Sequence, residues 1–422
     1  MVPSPRARLA TVAAGLAVSI VVVSCGSGTD RSSRSAGVPD EAAVEAAVTS
    51  GTAATAMELI DPEQVPESPL EDGASGLDAG RNGDLRGLPE PAVSLLDLRA
   101  GGPPPDGIPP IDRPLFRRAV DVDGLADVEP VLAFEIDGDV RAYPVRIMIW
   151  HEIVNDTVAG VPVAITYCPL CNSAVAYDRR VGERVVSFGT SGLLWNSALV
   201  MYDRQTESLW SHFTGEAIVG RLTGASLATL PVATIGWAAW RDAHPDGLVL
   251  DADTGFDRDY GRNPYPGYDD ISARPFLYDG EVDGRYAAMT RVVGIELDGE
   301  AAAVPLAVLR DLGVVEFELA AAPVTVWWQP GTASALDTPD LAGGADVGST
   351  SVFRAEVDGR RLTFRAEPGG AVDIETGSRW DRFGRVIEGP LLGSRLRRVA
   401  HVDTFWFAWG VFRPDGEVID GR

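Results

Sequence analysis

Two stretches of this chain repeat one another at a fixed spacing, and that repetition limits what it can fold into more than any other feature. Residues 162–174 read PVAITYCPLCNSA and residues 323–335 read PVTVWWQPGTASA, which sets Pro162 on Pro323, Pro169 on Pro330 and Ser173 on Ser334 at an offset of 161. Ile136, Asp137, Gly138 and Pro144 match Leu297, Asp298, Gly299 and Pro305 in the same register. Further on the register shifts: Asp203, Thr206, Ser208 and Trp210 match Asp373, Thr376, Ser378 and Trp380, and Trp237, Trp240 and Pro245 match Trp406, Trp409 and Pro414. Six of the ten tryptophans thus sit in paired positions, as large core-packing side chains would. The thiols are not repeated. Cys168 falls on Gln329 and Cys171 on Thr332, while His151 falls on Leu312 and His212 on Arg382. The first copy is therefore expected to hold a site and the second to support it.

Short runs rich in Val, Ile, Ala and aromatic residues are separated by Asp-Gly pairs at 137–138, 283–284, 298–299 and 358–359, which are hairpin signals. Helical spacing is confined to short segments around 144–151, 234–244 and 304–312. The expected fold is a β-rich α+β arrangement of two homologous units, 106–250 and 286–422. A loop-rich connector at 251–285 joins them, and its Tyr260, Tyr265 and Tyr268 are expected to lie against an interface or a cleft.

At the amino terminus Arg6 and Arg8 precede an apolar run from Leu9 to Val23, followed by Ser24, Cys25 and Gly26. This is the pattern of a secretion signal over 1–25. A small residue before the cysteine resembles the bacterial lipobox, so Cys25 is expected to be the acylated end of an exported protein anchored on the outer face of the membrane. The apolar run is about 15 residues, short of the roughly 20 that a spanning helix needs. From 26 to 105 the composition is that of a tether.

The net charge of −25 argues against nucleic acid and against electrostatic attachment to anionic lipid, which leaves the lipid anchor as the membrane link. Every basic side chain is arginine. The absence of lysine excludes Schiff-base chemistry and a phosphate-loop lysine. No GxSxG elbow is present, which disfavours a serine hydrolase.

The remaining chemistry centres on the CPLC sequence at the end of a strand. Outside the cytoplasm close thiols tend to oxidise, so Cys168 and Cys171 suit a disulfide, structural or redox-active. They also suit a metal site with His151 as third ligand and Met201, His212 or Glu152 as further candidates, with copper, zinc or iron as the metal. Two other readings stay open: a non-catalytic surface binding or scaffold protein with a structural Cys168–Cys171 disulfide and a groove lined by Trp195, Tyr260 and Tyr265, and hydrolysis by carboxylates among Glu152, Asp156 and Glu216.

The segments DGIPPIDRPLF, RAYPVRIMIWHEIVND, ITYCPLCNSAVAYDR, TSGLLWNSALVMYDRQTESLW, GEAIVGRLTG, RDYGRNPYPGY and FWFAWGVFRP together resemble DUF3179, a family of bacterial proteins defined by a domain of unknown function. The resemblance runs from about 106 to the end. It implies export or lipid anchoring for many members, and no activity; at His212 it leads one to expect glutamine.

Overall fold

A computed structural model describes residues 74–421. The expected signal segment and Cys25 lie outside the described residues. The protein is β-rich, and its main elements run in chain order as α1 (Gly76–Asn82), β1 (Leu98–Ala100), β2 (Pro130–Ile136), β3 (Asp139–Pro144), α2 (Val145–His151), β4 (Ile153–Val158), β5 (Val161–Cys168), β6 (Ser173–Asp178), β7 (Phe188–Trp195), β8 (Ala198–Asp203), β9 (Leu209–Ser211), β10 (Ala217–Val219), β11 (Val232–Gly236) and α3 (Trp237–Ala243). The same order then recurs as β12 (Arg291–Leu297), β13 (Glu300–Pro305), α4 (Leu306–Leu312), β14 (Val314–Leu319), β15 (Ala322–Gln329), β16 (Ser349–Arg354), β17 (Phe364–Glu367), β18 (Gly370–Asp373), β19 (Arg379–Asp381), β20 (Val386–Glu388), β21 (His401–Phe405) and α5 (Trp406–Phe412).

Each run builds three sheets of matching strand order. They contain β11-β2-β3, β6-β5-β4 and β7-β8-β9-β10 in the first run, and β21-β12-β13, β16-β15-β14 and β17-β18-β19-β20 in the second. The helices are short because Pro144 and Pro305, whose fixed φ suits a helix start, stand as N-caps, and a positive-φ residue ends α2 and α4 after two turns.

Paired sequence positions make the same bonds. Trp210 Nε1–H donates to Asp203 Oδ2 at 2.9 Å, Thr206 Oγ1 to the same oxygen at 2.8 Å, and the Thr206 N–H to Oδ1 at 2.6 Å. Trp380, Thr376 and Asp373 repeat these contacts at 2.9, 2.9 and 2.6 Å. Behind each cluster a glycine at φ +120° (Gly220) or +108° (Gly389) passes so close that an added Cβ would stand 2.7 Å from the Cα of Ser208 or Ser378. A buried carboxylate gathers the turn, the tryptophan and the neighbouring strand into one knot.

The runs share a core. Strand β11 lies against β16 and β21 against β6, a reciprocal arrangement, and the largest apolar cluster joins Val154, Ile165 and Tyr177 to Phe405, Trp406 and Trp409. The paired tryptophans are all buried. Two sequence expectations are corrected. Residues 74–105 are not tether: α1 is capped by Ser75, and β1 pairs with β7 through Leu98 and Trp195, so structure begins some thirty residues earlier than the composition suggested. Ser173 does not correspond to Ser334. Cys168 pairs with Ser173 and Gln329 with Ser349, so the CPLC turn at 169–172 is replaced in the second run by the long loop 330–348.

Replacing Asp203 by Ala strips three buried donors of their acceptor and should cost about 2–4 kcal/mol in denaturant unfolding, as should Asp373→Ala. A loss below about 0.5 kcal/mol, the range of ordinary surface changes, would show that the knot is not structural.

Candidate functional site: a buried dithiol turn

Strand β5 carries buried Val163, Ala164, Ile165 and Thr166 into the core and delivers Cys168 at its end, where a tight turn closed by Asn172 N–H to Pro169 O (3.2 Å) returns the chain into β6. Cys168 and Cys171 are both free thiols, 1% and 0% exposed. Burial acts to raise the Cys168 thiol, but the Cys171 side chain and backbone N–H groups of Cys171, Leu199 and Leu170 favour its thiolate, and its pKa is lowered. Cys171 goes the other way. Burial, its hydrogen bond to Cys168 and the Cys168 charge push it well up, opposed in part by Ser173.

A polar chain stands behind Cys171. Its Sγ lies 2.9 Å from Ser173 Oγ, which lies 2.9 Å from His212 Nε2. His212 is fully buried, burial holds its pKa down to about 3, and its Nδ1 has no partner among the described residues. The imidazole is therefore neutral. The backbone of the turn is fixed from the second run, where Thr404 Oγ1 and the Phe405 N–H donate to Cys171 O at 2.8 and 3.2 Å.

Glu152 is the most costly residue of the site. It caps α2 at φ +59°, ψ −30°, a conformation that the second run gives to Gly313 (φ +75°, ψ −32°). A non-glycine residue held there costs on the order of 1–3 kcal/mol. The residue is 6% exposed, and its carboxyl has no hydrogen-bond partner among the described residues. Burial first, and the nearby Cys168 second, push its pKa well above the usual carboxylate range.

The second run shows what the scaffold requires at this place. Gln329, at the position of Cys168, accepts the Gly369 N–H on Oε1 at 2.9 Å, while its Nε2 donates to Glu367 O and Gly370 O. Arg382, at the position of His212, donates to Ser349 Oγ at 3.3 Å as His212 contacts Ser173. An acceptor is needed at the end of the strand; a thiol is not.

A segment of the connector covers the site. Burial raises the hydroxyl pKa values of Tyr265 and Tyr268, with Glu152 and then Cys168 adding to the shift at Tyr265 and Cys168 adding at Tyr268. The segment is tied to loop 330–348 by Gly267 N–H to Asp337 O (2.6 Å), Tyr268 N–H to Leu336 O (3.1 Å) and Asn263 Nδ2 to Thr338 O (3.0 Å). A cavity of ≈ 40 Å³ reaches the turn at Tyr167 and Asn172, between Arg291, Thr332 and Ser334 of the second run.

The other sequence candidates are placed as follows. His151 is not aimed at the thiols: its Nδ1 lies 2.6 Å from Pro109 O and its Nε2 2.5 Å from the Tyr260 hydroxyl. No group of three His, Cys, Asp or Glu side chains able to hold a metal exists among the described residues, so Cys168, Cys171 and His151 do not assemble as a ligand set. Met201 is a core residue of β8, opposite Trp210. Asp156 is bound by Arg141 and Tyr143, a structural engagement that removes it from a carboxylate pair. Glu216 lies in the turn after Thr214. Trp195 packs edge-on against Phe412 rather than beside Tyr260. Sequence reasoning missed Ser173 as a partner of Cys171, although a hydroxyl two residues past a CxxC was visible.

The fold and site thus define a β-rich protein with a buried, asymmetric dithiol turn. The chain belongs to the DUF3179 family of proteins of unknown function, whose model matches residues 105–416. No curated protein and no solved structure matches it.

The Glu152 carboxyl has a testable signature. In the unfolded chain it ionises above about pH 4.3, whereas in the folded protein it stays protonated, so its contribution is fully present below that pH and is lost as pH rises. The stability of Glu152→Gln relative to the parent should be flat below about pH 4 and then grow in favour of the variant by up to ~1.4 kcal/mol per pH unit. Parallel pH profiles in urea denaturation would contradict a neutral buried acid.

Proposed function

We propose that this chain is a lipid-anchored, extracytoplasmic thiol-disulfide exchange protein whose first run carries the reactive dithiol and whose second run is a copy of the same unit kept as a support. The observation that carries the reading is the opposite poise of the two buried thiols, the Cys168 pKa lowered by the Cys171 side chain and by backbone N–H groups and the Cys171 pKa raised by burial and by Cys168. Exchange needs that asymmetry: a nucleophile ionised at ambient pH and a second thiol that waits.

In the reducing direction Cys168 Sγ attacks one sulfur of a partner disulfide. A Cys168–partner bond forms, the partner's S–S bond breaks, and the departing thiolate takes the proton that Glu152 holds beside Cys168. The Cys171 Sγ then attacks Cys168 Sγ while its proton passes to the second partner sulfur, so that the Cys168–Cys171 disulfide forms, the Cys168–partner bond breaks and the partner leaves as a dithiol. Two electrons pass to the partner, and the reverse sequence oxidises it. Ser173, with His212 behind it, fixes the Cys171 sulfur while it waits. Both sulfurs are buried, so the segment bearing Tyr265 and Tyr268 must swing away for a protein disulfide to reach them.

Cys171→Ser incubated with a small protein disulfide should accumulate a mixed disulfide on Cys168, read as a mass increase of the intact chain that a reductant removes. Cys168→Ser should give none. Equal labelling of both variants, or of neither in folded protein with the connector loosened by Tyr265→Ala, would remove exchange and leave the scaffold reading with a structural cysteine pair.

A further inference from the structure

The matching four-stranded sheets of the two runs differ in what lies on their outer face. In the first run the face of β7-β8-β9-β10 is closed by the segment that begins with α1, whose Leu77, Ala79, Leu88 and Leu98 pack on Leu209, Ile218 and Val219. The approach is tight enough that a Cβ added at Gly80 would collide with the Leu209 side chain. The edge of the sheet is closed as well, since Ala92 N–H donates to Ile218 O at 2.8 Å.

The second run has no such cover among the described residues. The bulge that sets Leu209 opposite Val219 and Trp210 opposite Ala217 recurs, with Arg379 opposite Glu388 and Trp380 opposite Val386. Ile387 therefore stands where Ile218 is buried, and it is 54% exposed against 1%. Cross-strand partners share a face, which puts Arg365, Val372, Arg379 and Glu388 in one row across the sheet. Ile374 and Leu392 border that row, both exposed, and the Ser378 turn brings their segments together: Asp373 N–H donates to Ser378 O and Leu391 N–H to Ser378 Oγ, at 3.1 Å each. No donor from outside the sheet meets Ile387 O among the described residues.

Charge decides what can lie there. Residues 354–398 hold ten arginines and seven carboxylates, whereas the chain as a whole carries −25. On the face itself Arg365 pairs with Glu367 and Arg379 with Glu388, at 3.0 Å each. Exposed pairs of this kind contribute little within one chain and can re-pair with their equivalents across an interface. Two copies of an acidic chain repel one another over most of their surface. Here both signs and the apolar side chains stand on one face, so a two-fold partner presents a complementary set.

We propose that a second copy of this chain covers this face, the two copies meeting about a two-fold axis at β17-β18-β19-β20 with Ile374, Ile387 and Leu392 at the centre of the contact. The open edge of β20, a strand end that isolated sheets must protect, is then closed by the partner. The inference does not depend on the dithiol reading.

Sedimentation equilibrium of the full chain in a density-matched neutral detergent, from about 1 to 100 µM, tests it. A monomer–dimer equilibrium is expected, weakened about tenfold or more in Ile387→Asp and again in Leu392→Asp, each checked for a cooperative melt like the parent's. Ile271→Asp, at an equally exposed apolar residue of the connector, should dimerise as the parent does. A chain that stays monomeric across the range overturns the proposal, and binding of that monomer to phosphatidylglycerol–phosphatidylcholine vesicles, lost in Ile387→Asp, would give the face to the membrane instead. A dimer that Ile387→Asp and Leu392→Asp leave unchanged, or that Ile271→Asp weakens as much, would overturn it too.

Discussion

Everything at the candidate site depends on one demand of the backbone: the N–H that follows the hairpin into β8, or into β18 in the second run, needs an acceptor at the end of the neighbouring strand. A buried N–H without a partner costs about 1–3 kcal/mol, so the position cannot be left to an apolar side chain. The two runs meet the demand differently. Gln329 offers an amide oxygen to Gly369 and stays neutral. Cys168 offers a sulfur to Leu199, and with Leu170 and Cys171 donating as well, its pKa is lowered. A scaffold that only needs satisfaction thereby lowers the pKa of a buried thiol.

Glu152 follows from that sulfur. Where the second run relaxes its helix end with Gly313, the first run keeps a carboxyl side chain in the same left-handed conformation and buries it without a partner. Backbone strain and desolvation together make this a poor choice for stability, and such costs persist where the strained group has a task. A carboxyl whose pKa burial raises, near a thiol whose pKa is lowered, stands where the proposed exchange would consume a proton. The reciprocal packing of the two runs gives the turn its rigidity, because Thr404 and Phe405 hold the Cys171 carbonyl from the far run.

The repeated frame was legible in the sequence because the residues that recur are those the frame cannot vary: the Asp-Gly hairpins, the prolines that start α2 and α4, and the Asp203 and Asp373 knots. The hairpin after β15 was misread because Pro330 and Ser334 happen to keep the offset across an insertion, and only strand register reveals that Ser349 is the true partner of Gln329. The tether was drawn too long, since α1 and β1 gain their stability from the sheet they join and have little apolar periodicity of their own. Within the site, the two cysteines and Glu152 were visible, whereas the roles of the histidines were not. Which nitrogen meets which partner is decided by loops such as Pro109 and Tyr260, far away in sequence, and these turned His151 into a strut and His212 into part of the thiol network.

The central claim is that Cys168 and Cys171 form an exchanging pair and not an inert one. Equilibrating the folded protein across a series of glutathione buffers, quenching with acid and counting free thiols by mass tests this most directly. The account predicts a single two-electron transition, with a midpoint within the span of known exchanging dithiols, about −270 to −120 mV. A pair that remains fully reduced or fully oxidised across all buffers, in protein that stays folded, would contradict it.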